Sequence, residues 1–273
     1  MAKTADIRGF FASKMAAASG SSDPRLEEAF ATVPREAFLG PGPWTVIVGN
    51  RRIVTPDANP AHIYQNLLVA LDAKRNNGEP TLHAAWIGEI APQPGETIVH
   101  VGAGSGYYTA LLARLVLPGG SVTAYELDAD LAARARRNLE PYENVTVVEG
   151  DAVSAWLPQS DIIYVNAGVA APPAGWLAAL RPGGRLIFPW QPSERVGLAM
   201  VVTRTAQGFP CQPFMGSWFI PCVGASQPGG SAKIPTPGRA RRTRSIWLTA
   251  EKAPDDTATG IFGDVWFSSN RVA

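Results

Sequence analysis

The sequence predicts an α/β fold: a mainly parallel sheet flanked by helices, with an antiparallel hairpin at one edge, a helical region before it and an extension after it. Three observations carry this. Thr97–Tyr108 is a β-branched run that ends in glycines at alternate positions, Gly102, Gly104 and Gly106. It passes into a segment with Leu111, Leu112 and Leu115 on one side, so it reads as strand, tight turn, helix. From there to Phe188, short β-branched runs alternate with amphipathic segments, as in parallel strands joined by crossover helices. After Val196, two apolar runs flank a Gln207-Gly208 turn, the mark of a hairpin.

Residues 1 to about 30 read as helical, with Ile7, Phe10, Phe11 and Met15 on one face and a break at Ser19–Pro24. A second helix turns Leu26, Phe30 and Val33 inward. Gly40-Pro-Gly-Pro43 is a turn, and Val46–Val54 a short strand. Asn59-Pro60 pairs a cap with a proline at the first helical position, so a helix with Ile63, Leu67, Leu68 and Leu71 on its apolar face is expected, ending at Asn76-Asn77-Gly78. Pro80 opens another, with Leu82, Trp86, Ile87 and Ile90 apolar, closing at Pro92–Gly95.

Within the sheet, the strand after Gly120 ends at Glu126, and Asp128 or Asp130 caps a helix that buries Leu131 and Ala135. Val145–Val148, Asp161–Val165 and Arg185–Phe188 are the next strands, with a small-residue loop at Ala167–Pro173 and a short helix at Trp176–Leu180. Leu198–Thr203 and Phe214–Ile220 form the hairpin. Residues 224–245 read as a Gly/Pro/Ser/Arg-rich linker, and Ser245–Thr249 and Asp264–Ser268 as two further strands, each with a tryptophan (Trp247, Trp266) that should fold back on the main domain. Arg239, Arg241, Arg242 and Arg244 are either a solvated loop or a site for an acidic partner.

The 273 residues fit one large domain, or one with additions, and 46% apolar content supplies a full core. A net charge of +1 gives no sign of nucleic-acid or membrane-surface binding. No apolar run reaches the ~18 residues of a membrane span. The N-terminal stretch lacks the apolar core of a secretory signal. Cys211 and Cys222 are too few for a disulfide framework or a zinc site; they read as thiols in a reducing cytoplasm, with a bridge between adjacent strands as the alternative. No metal is expected, and oligomeric state is not legible.

Alternate glycines bring the backbone close to a ligand, and the following helix offers unpaired N–H groups. Glu126 stands about 20 residues past the last glycine, where nucleotide-binding α/β folds place an acid on ribose hydroxyls. The spacing is G-x-G-x-G, and Glu149-Gly-Asp151 follows the third strand. Together these resemble the Rossmann-like class I S-adenosylmethionine-dependent methyltransferases. Val33-Pro-Arg-Glu-Ala-Phe38, Gly102–Tyr107, Gly150-Asp151 and Pro182-Gly-Gly-Arg-Leu186 narrow the resemblance to the protein-L-isoaspartate O-methyltransferases, from about Val33 to Ile220.

The resemblance implies S-adenosyl-L-methionine as cofactor and a peptide, protein or small-molecule methyl acceptor, with no nucleic acid and no membrane. It implies three parts: 1–95 over the cofactor and acceptor sites, 96–223 as the cofactor-binding core, and 224–273 as linker and extension. Cofactor contacts would come from Asn77, Gly78, His83, Gly102, Ala103, Gly104, Ser105, Gly106, Tyr107, Glu126, Leu127, Asp151, Ala152 and Asn166, with Glu126 on the ribose hydroxyls and Asp151 on the adenine amino group. The family's Ser-x-Pro segment is Gly78-Glu79-Pro80 here, with the family histidine at His83, and His100 stands where many members carry an acid. The missing hydroxyl leaves the acceptor open: a carboxylate, or another heteroatom of a small molecule, or no catalysis at all. A carboxylate is ionised at pH 7 and needs no base; another acceptor could use His83 or His62. His83 could equally be a core residue, Tyr107 and Tyr108 pack the loop, and Trp190 either lines the acceptor pocket or anchors the core.

Overall fold

The computed structural model describes residues 3–228 and 233–272, so 229–232, inside the expected linker, lie outside the described residues. In chain order the elements are α1 (Thr4–Ser19), α2 (Pro24–Thr32), β1 (Thr45–Val48), β2 (Arg51–Val54), β3 (Leu68–Ala70), β4 (Asn76–Asn77), α3 (Pro80–Ile90), β5 (Thr97–Val101), α4 (Tyr107–Leu115), β6 (Ser121–Glu126) and α5 (Ala129–Leu139). Then come β7 (Val145–Glu149), β8 (Ser160–Val165), α6 (Ala174–Ala179), β9 (Leu180–Ser193), β10 (Val196–Thr203), β11 (Phe209–Gly216), α7 (Pro237–Ala240), β12 (Ser245–Leu248), β13 (Ala258–Phe262) and β14 (Val265–Ser268). They fall into two compact units, Met1–Glu96 with Ala103–Glu149, and Thr97–Gly102 with Gly150–Ala273.

In the first unit, Asp23 caps α2 through its side chain and Asp128 caps α5, its Oδ1 accepting from Leu131 N–H at 3.0 Å. The α1 face differs from expectation. Phe11, Ala12 and Met15 are buried, while Phe10 is 69% exposed. A helix turns about 100° per residue, and the buried stripe runs through Phe11, Ala12 and Met15, which leaves Phe10 on its outer side. Residues 45–77 differ more. The expected single strand is a hairpin, β1 and β2, turning at Gly49 (φ 56°). The expected helix after Asn59 is one 3₁₀ turn, Pro60–His62, followed by extended chain. Asn59 does accept from Ala61 N–H, so the cap signal holds, but β3 pairs with β1 (Val46 with Val69, Ile47 with Leu68) and β4 pairs with β3. Ile63 and Val69 are buried with Trp44 and Val46, a sheet-borne cluster that overrides the local helical spacing. β6 and β7 pair in parallel, Glu126 beside Glu149 at their carboxyl ends.

In the second unit the strand order is β13-β14-β12-β11-β10-β9-β8-β5. β5, β8 and β9 are parallel, and every pair from β9 outward is antiparallel. β9 is longer than expected because antiparallel pairing with β10 carries it to Ser193. The β10–β11 hairpin forms, but its second strand runs from Phe209 to Gly216 and is not the margin: the tail adds β12, β14 and the unanticipated β13. Trp266 and Phe267 are fully buried, and Phe267 stacks on Trp190 with ring centroids 4.3 Å apart. Within the expected linker, Lys233 bridges to Ile261 of β13, and α7 follows with Thr236 as cap. Arg239, Arg241 and Arg242 are exposed. Cys211 and Cys222 are buried free thiols. Among the described residues, no helix is long and apolar enough to cross a membrane.

Candidate functional site

In the first unit, the turn between β5 and α4 is built around its glycines. Gly104 (φ 58°) and Gly106 (φ 95°) adopt left-handed angles, and a Cβ at Gly106 would lie 2.7 Å from a Leu139 methyl. Ala103 N–H donates to Tyr125 O at 3.0 Å, and Ser105 O accepts from the Asn138 side chain at 2.9 Å. Gly104 N–H donates to Glu126 Oε2 at 2.7 Å and Asp128 N–H to Glu126 Oε1 at 3.1 Å. Those bonds use one lone pair on each carboxylate oxygen and leave one on each. Glu126 is buried, and burial pushes its carboxyl above the usual range, opposed by the two N–H donors and by Arg75. Leu127 beside it is half exposed. Arg75 joins Asp72 and Asp128, each at 2.6 Å, tying the β3–β4 turn to the α5 cap. Tyr107 is buried edge-on against Phe38, as a packing residue.

The same unit holds the Asn77–His83 segment. Arg35, from the Pro-Arg-Glu motif, is fully buried and is its organiser. Its guanidinium donates to the carbonyls of Ile63 (2.7 Å), Gln65 (3.2 Å), Leu67 (2.9 Å), Asn77 (3.2 Å) and Gly78 (3.3 Å), and to Asn77 Oδ1 (3.1 Å). Tyr108 OH adds a second donor to Gly78 O at 3.0 Å. His83 is buried with its ring stacked on Tyr108. His62 instead pairs with Asp57 at 2.9 Å on an exposed turn. The roles of Arg35, Arg75 and the Tyr108 hydroxyl were missed from sequence; an arginine in the short segment between the apolar residues Val33 and Phe38 was the available signal for the first.

In the second unit, β5 is followed by Gly102 (φ 79°), where a Cβ would face Asn166 at 3.4–3.5 Å. Asn166 N–H donates to Val101 O at 2.8 Å and its Nδ2 meets His100 Nε2 at 2.8 Å, while its Oδ1 is buried with no hydrogen-bond partner. Burial pushes the His100 imidazole down to about 3, so it is neutral. Asp151 is held by its own turn, accepting from Val153 N–H (2.8 Å) and Ser154 Oγ (2.9 Å). Ala152 O accepts from Trp176 Nε1 at 2.8 Å. Trp190 is a core anchor: fully buried, it donates to Ala170 O at 2.8 Å. Beyond Asp151, the tail residues Phe262, Asp264 and Val265 line a cavity of about 180 Å³ with Val153, Ala170 and Ala225.

In the first unit, each Glu126 carboxylate oxygen keeps a lone pair, an arrangement that suits a pair of vicinal hydroxyl donors. In the second unit, Asn166 Oδ1 is a buried acceptor with no hydrogen-bond partner.

Residues 14–227 match the family model described as protein-L-isoaspartate(D-aspartate) O-methyltransferase (PCMT). The chain is 37% identical over 171 residues to the protein-L-isoaspartate O-methyltransferase of Aeropyrum pernix, covering 60% of this chain and 59% of that one. It is 31% identical over 211 residues to protein-L-isoaspartate O-methyltransferase 2 of Pelobacter propionicus, covering 76% and 85%. In fold it is similar to a solved protein-L-isoaspartate O-methyltransferase (TM-score 0.69, 20% identity, 95% of this chain and 86% of the other). It is similar also to a putative one from Plasmodium falciparum in complex with S-adenosyl-L-homocysteine (TM-score 0.64, 17% identity, 79% and 97%).

Proposed function

The chain belongs to the protein-L-isoaspartate(D-aspartate) O-methyltransferase family, and from that membership we propose that it is an S-adenosylmethionine-dependent enzyme that methylates a carboxylate or other heteroatom of a peptide, protein or small-molecule acceptor. The observation that carries the reading is Glu126: a buried carboxylate held by Gly104 N–H and Asp128 N–H, with a lone pair left on each oxygen for a pair of ribose hydroxyls. When bound, S-adenosylmethionine supplies a methyl group on a sulfonium for direct in-line transfer. The chain's own work is to bind and align. Gly102–Gly106 offers close backbone, with Ala103, Ser105 and Tyr107 shaping the turn. Leu127 flanks the ribose end, Asp151 and Ala152 take the adenine end, and Asn166 Oδ1 accepts from a donor of the cofactor. Asn77, Gly78 and His83 face the reacting end. Alignment supplies most of the rate, and an ionised carboxylate needs no proton removed.

We assign 1–95 to the region over the cofactor and acceptor sites, 96–223 to the cofactor-binding core and 224–273 to a linker and extension, in a protein of the reducing cytoplasm. Calorimetry with S-adenosylhomocysteine tests the cofactor: micromolar or tighter binding is expected, and none would end the reading. A methyl-transfer screen of an isoaspartyl peptide against small acids and amines tests the acceptor. The bare Gly78 and the tail-lined cavity favour a second reading, a small-molecule methyltransferase on the same scaffold. Turnover of small acceptors without the peptide would establish it, and cofactor binding with no turnover would point to a binding protein.

A further inference from the structure

A long stretch of the second unit holds no acid. Residues 195–250 carry seven basic side chains and no aspartate or glutamate. The other 17 of the chain's 24 basic residues are outnumbered by all 23 acids, so the remainder has a net charge of −6. Three of the seven, Arg239, Arg241 and Arg242, lie within four residues, at the end of α7 and in the turn into β12, and all three are exposed. Their guanidinia have no hydrogen-bond or ion-pair partner among the described residues. Asp255, the first aspartate after β12, is held instead by Lys252 Nζ at 3.6 Å and Thr257 N–H at 2.9 Å.

The turn that displays these arginines is fixed. Ala240 and Thr243 are fully buried. Arg242 N–H donates to Arg239 O at 3.0 Å. Arg244 N–H donates to Ser268 O at 2.7 Å, and Arg244 O accepts from Cys211 N–H at 2.8 Å, which ties the turn to β14 and β11. The Arg244 guanidinium bends back to the carbonyls of Thr243 (2.7 Å) and Arg241 (3.0 Å). A fourth arginine thus locks the turn that presents the other three. Like charges three residues apart on a helical turn, as in Arg239 and Arg242, repel each other. No acid between 195 and 250 offsets that repulsion.

We infer that Arg239, Arg241 and Arg242 form a docking surface for an acidic stretch of a polypeptide. An exposed ion pair contributes little by itself, because water and salt screen it. A single small anion therefore gains little on three exposed guanidinia, whereas a chain bearing several carboxylates meets them together. Guanidinium suits that partner, since it can give a carboxylate two parallel N–H donors. The fixed turn also lowers the ordering cost of binding. Nucleic acids and anionic lipid surfaces repeat their charge as well, but they extend far beyond one turn and call for a broad basic surface. Outside residues 195–250 this chain is net negative, which disfavours both. A short acidic stretch can end where the arginines end. Docking there requires no methyl transfer, so its assay is read independently of that activity.

The test is fluorescence anisotropy on the full chain with three labelled probes: a short peptide of alternating glutamate and serine, its glutamine-for-glutamate counterpart, and a single-stranded oligonucleotide. Phosphatidylserine vesicles are tested by co-sedimentation. The acidic peptide should bind wild type at low salt and weaken about fivefold or more between ~50 and ~300 mM sodium chloride, while the glutamine peptide does not bind. Arg239→Gln, Arg241→Gln and Arg242→Gln combined should weaken binding about tenfold or more. Arg51→Gln, Arg137→Gln and Arg195→Gln combined remove the same charge from other exposed positions and should leave binding within about twofold of wild type. The replaced side chains are exposed, so each variant should melt close to wild type. Should the patch variant fail to fold, Arg242→Glu alone serves, and it should weaken binding more than Arg242→Gln. Overturning results are no binding of the acidic peptide to wild type, equal binding of the glutamine peptide, unchanged binding in the patch variants, or an equal loss in the control variant. Tighter binding of the oligonucleotide or the vesicles than of the acidic peptide overturns it too.

Discussion

Glu126 holds the Gly104 turn from below and keeps lone pairs for a ligand. Each hydrogen bond to a charged group contributes ~1.5–3 kcal/mol. Glu126→Ala should therefore weaken S-adenosylhomocysteine binding at least about tenfold by calorimetry, since tenfold is ~1.4 kcal/mol. Glu126 was legible because a strand-end acid at that spacing has few other uses. Arg35 was read only as part of a motif, because six contacts to segments 28 to 43 residues away leave no local trace. His100 was noted as a departure, and its burial gives it a pH signature. Its folded value, about 3, lies below the ordinary 6.5, so below pH 6.5 the unfolded chain binds the extra proton and the native state does not. The stability it contributes is present above pH 6.5 and is lost as pH falls from there toward about 3. Urea midpoints at pH 5 and pH 7 should differ more for wild type than for His100→Gln.

Arg35 fastens the 3₁₀ turn, the entry to β3 and the end of β4 through their backbone carbonyls. Arg35→Met keeps bulk but strips the donors from those buried carbonyls. It should cost roughly 3–5 kcal/mol in urea unfolding, the range for breaking a buried charged network. The tail strands make the second prediction at this scale. β12 covers the edge of β11, and Phe267 of β14 covers Trp190. A chain cut after Pro228 should melt roughly 10 °C lower and aggregate on heating, because it exposes a strand edge and an apolar ring together. Unchanged melting would show the tail to be dispensable. Gly230, the cut that composition alone suggests, lies outside the described residues. The tail tryptophans were legible as a fold-back because two large rings need cover. The helix expected from Asn59 to Asn76-Asn77-Gly78 was not legible as strand, because Ile63, Leu67, Leu68 and Leu71 satisfy helical spacing and only the pairing of Leu68 and Val69 with β1 decides otherwise.

Over the whole chain, the class of fold was legible from alternation alone: parallel strands need crossover helices, and the glycine turn marked the first of them. Register and strand order were not, because they depend on which apolar faces meet. The family match ends at residue 227, so β12, β13 and β14 lie beyond it, although they complete the antiparallel side of the second unit's sheet. The close approach of His83 to Gly78 has a consequence for how such a chain can change by descent. Starting from this sequence, a single codon change that adds any side chain at 78 meets an occupied space. The imidazole must shift before a side chain is accommodated there, so a change at position 78 is felt at position 83, and the effect of a substitution at one depends on the state of the other.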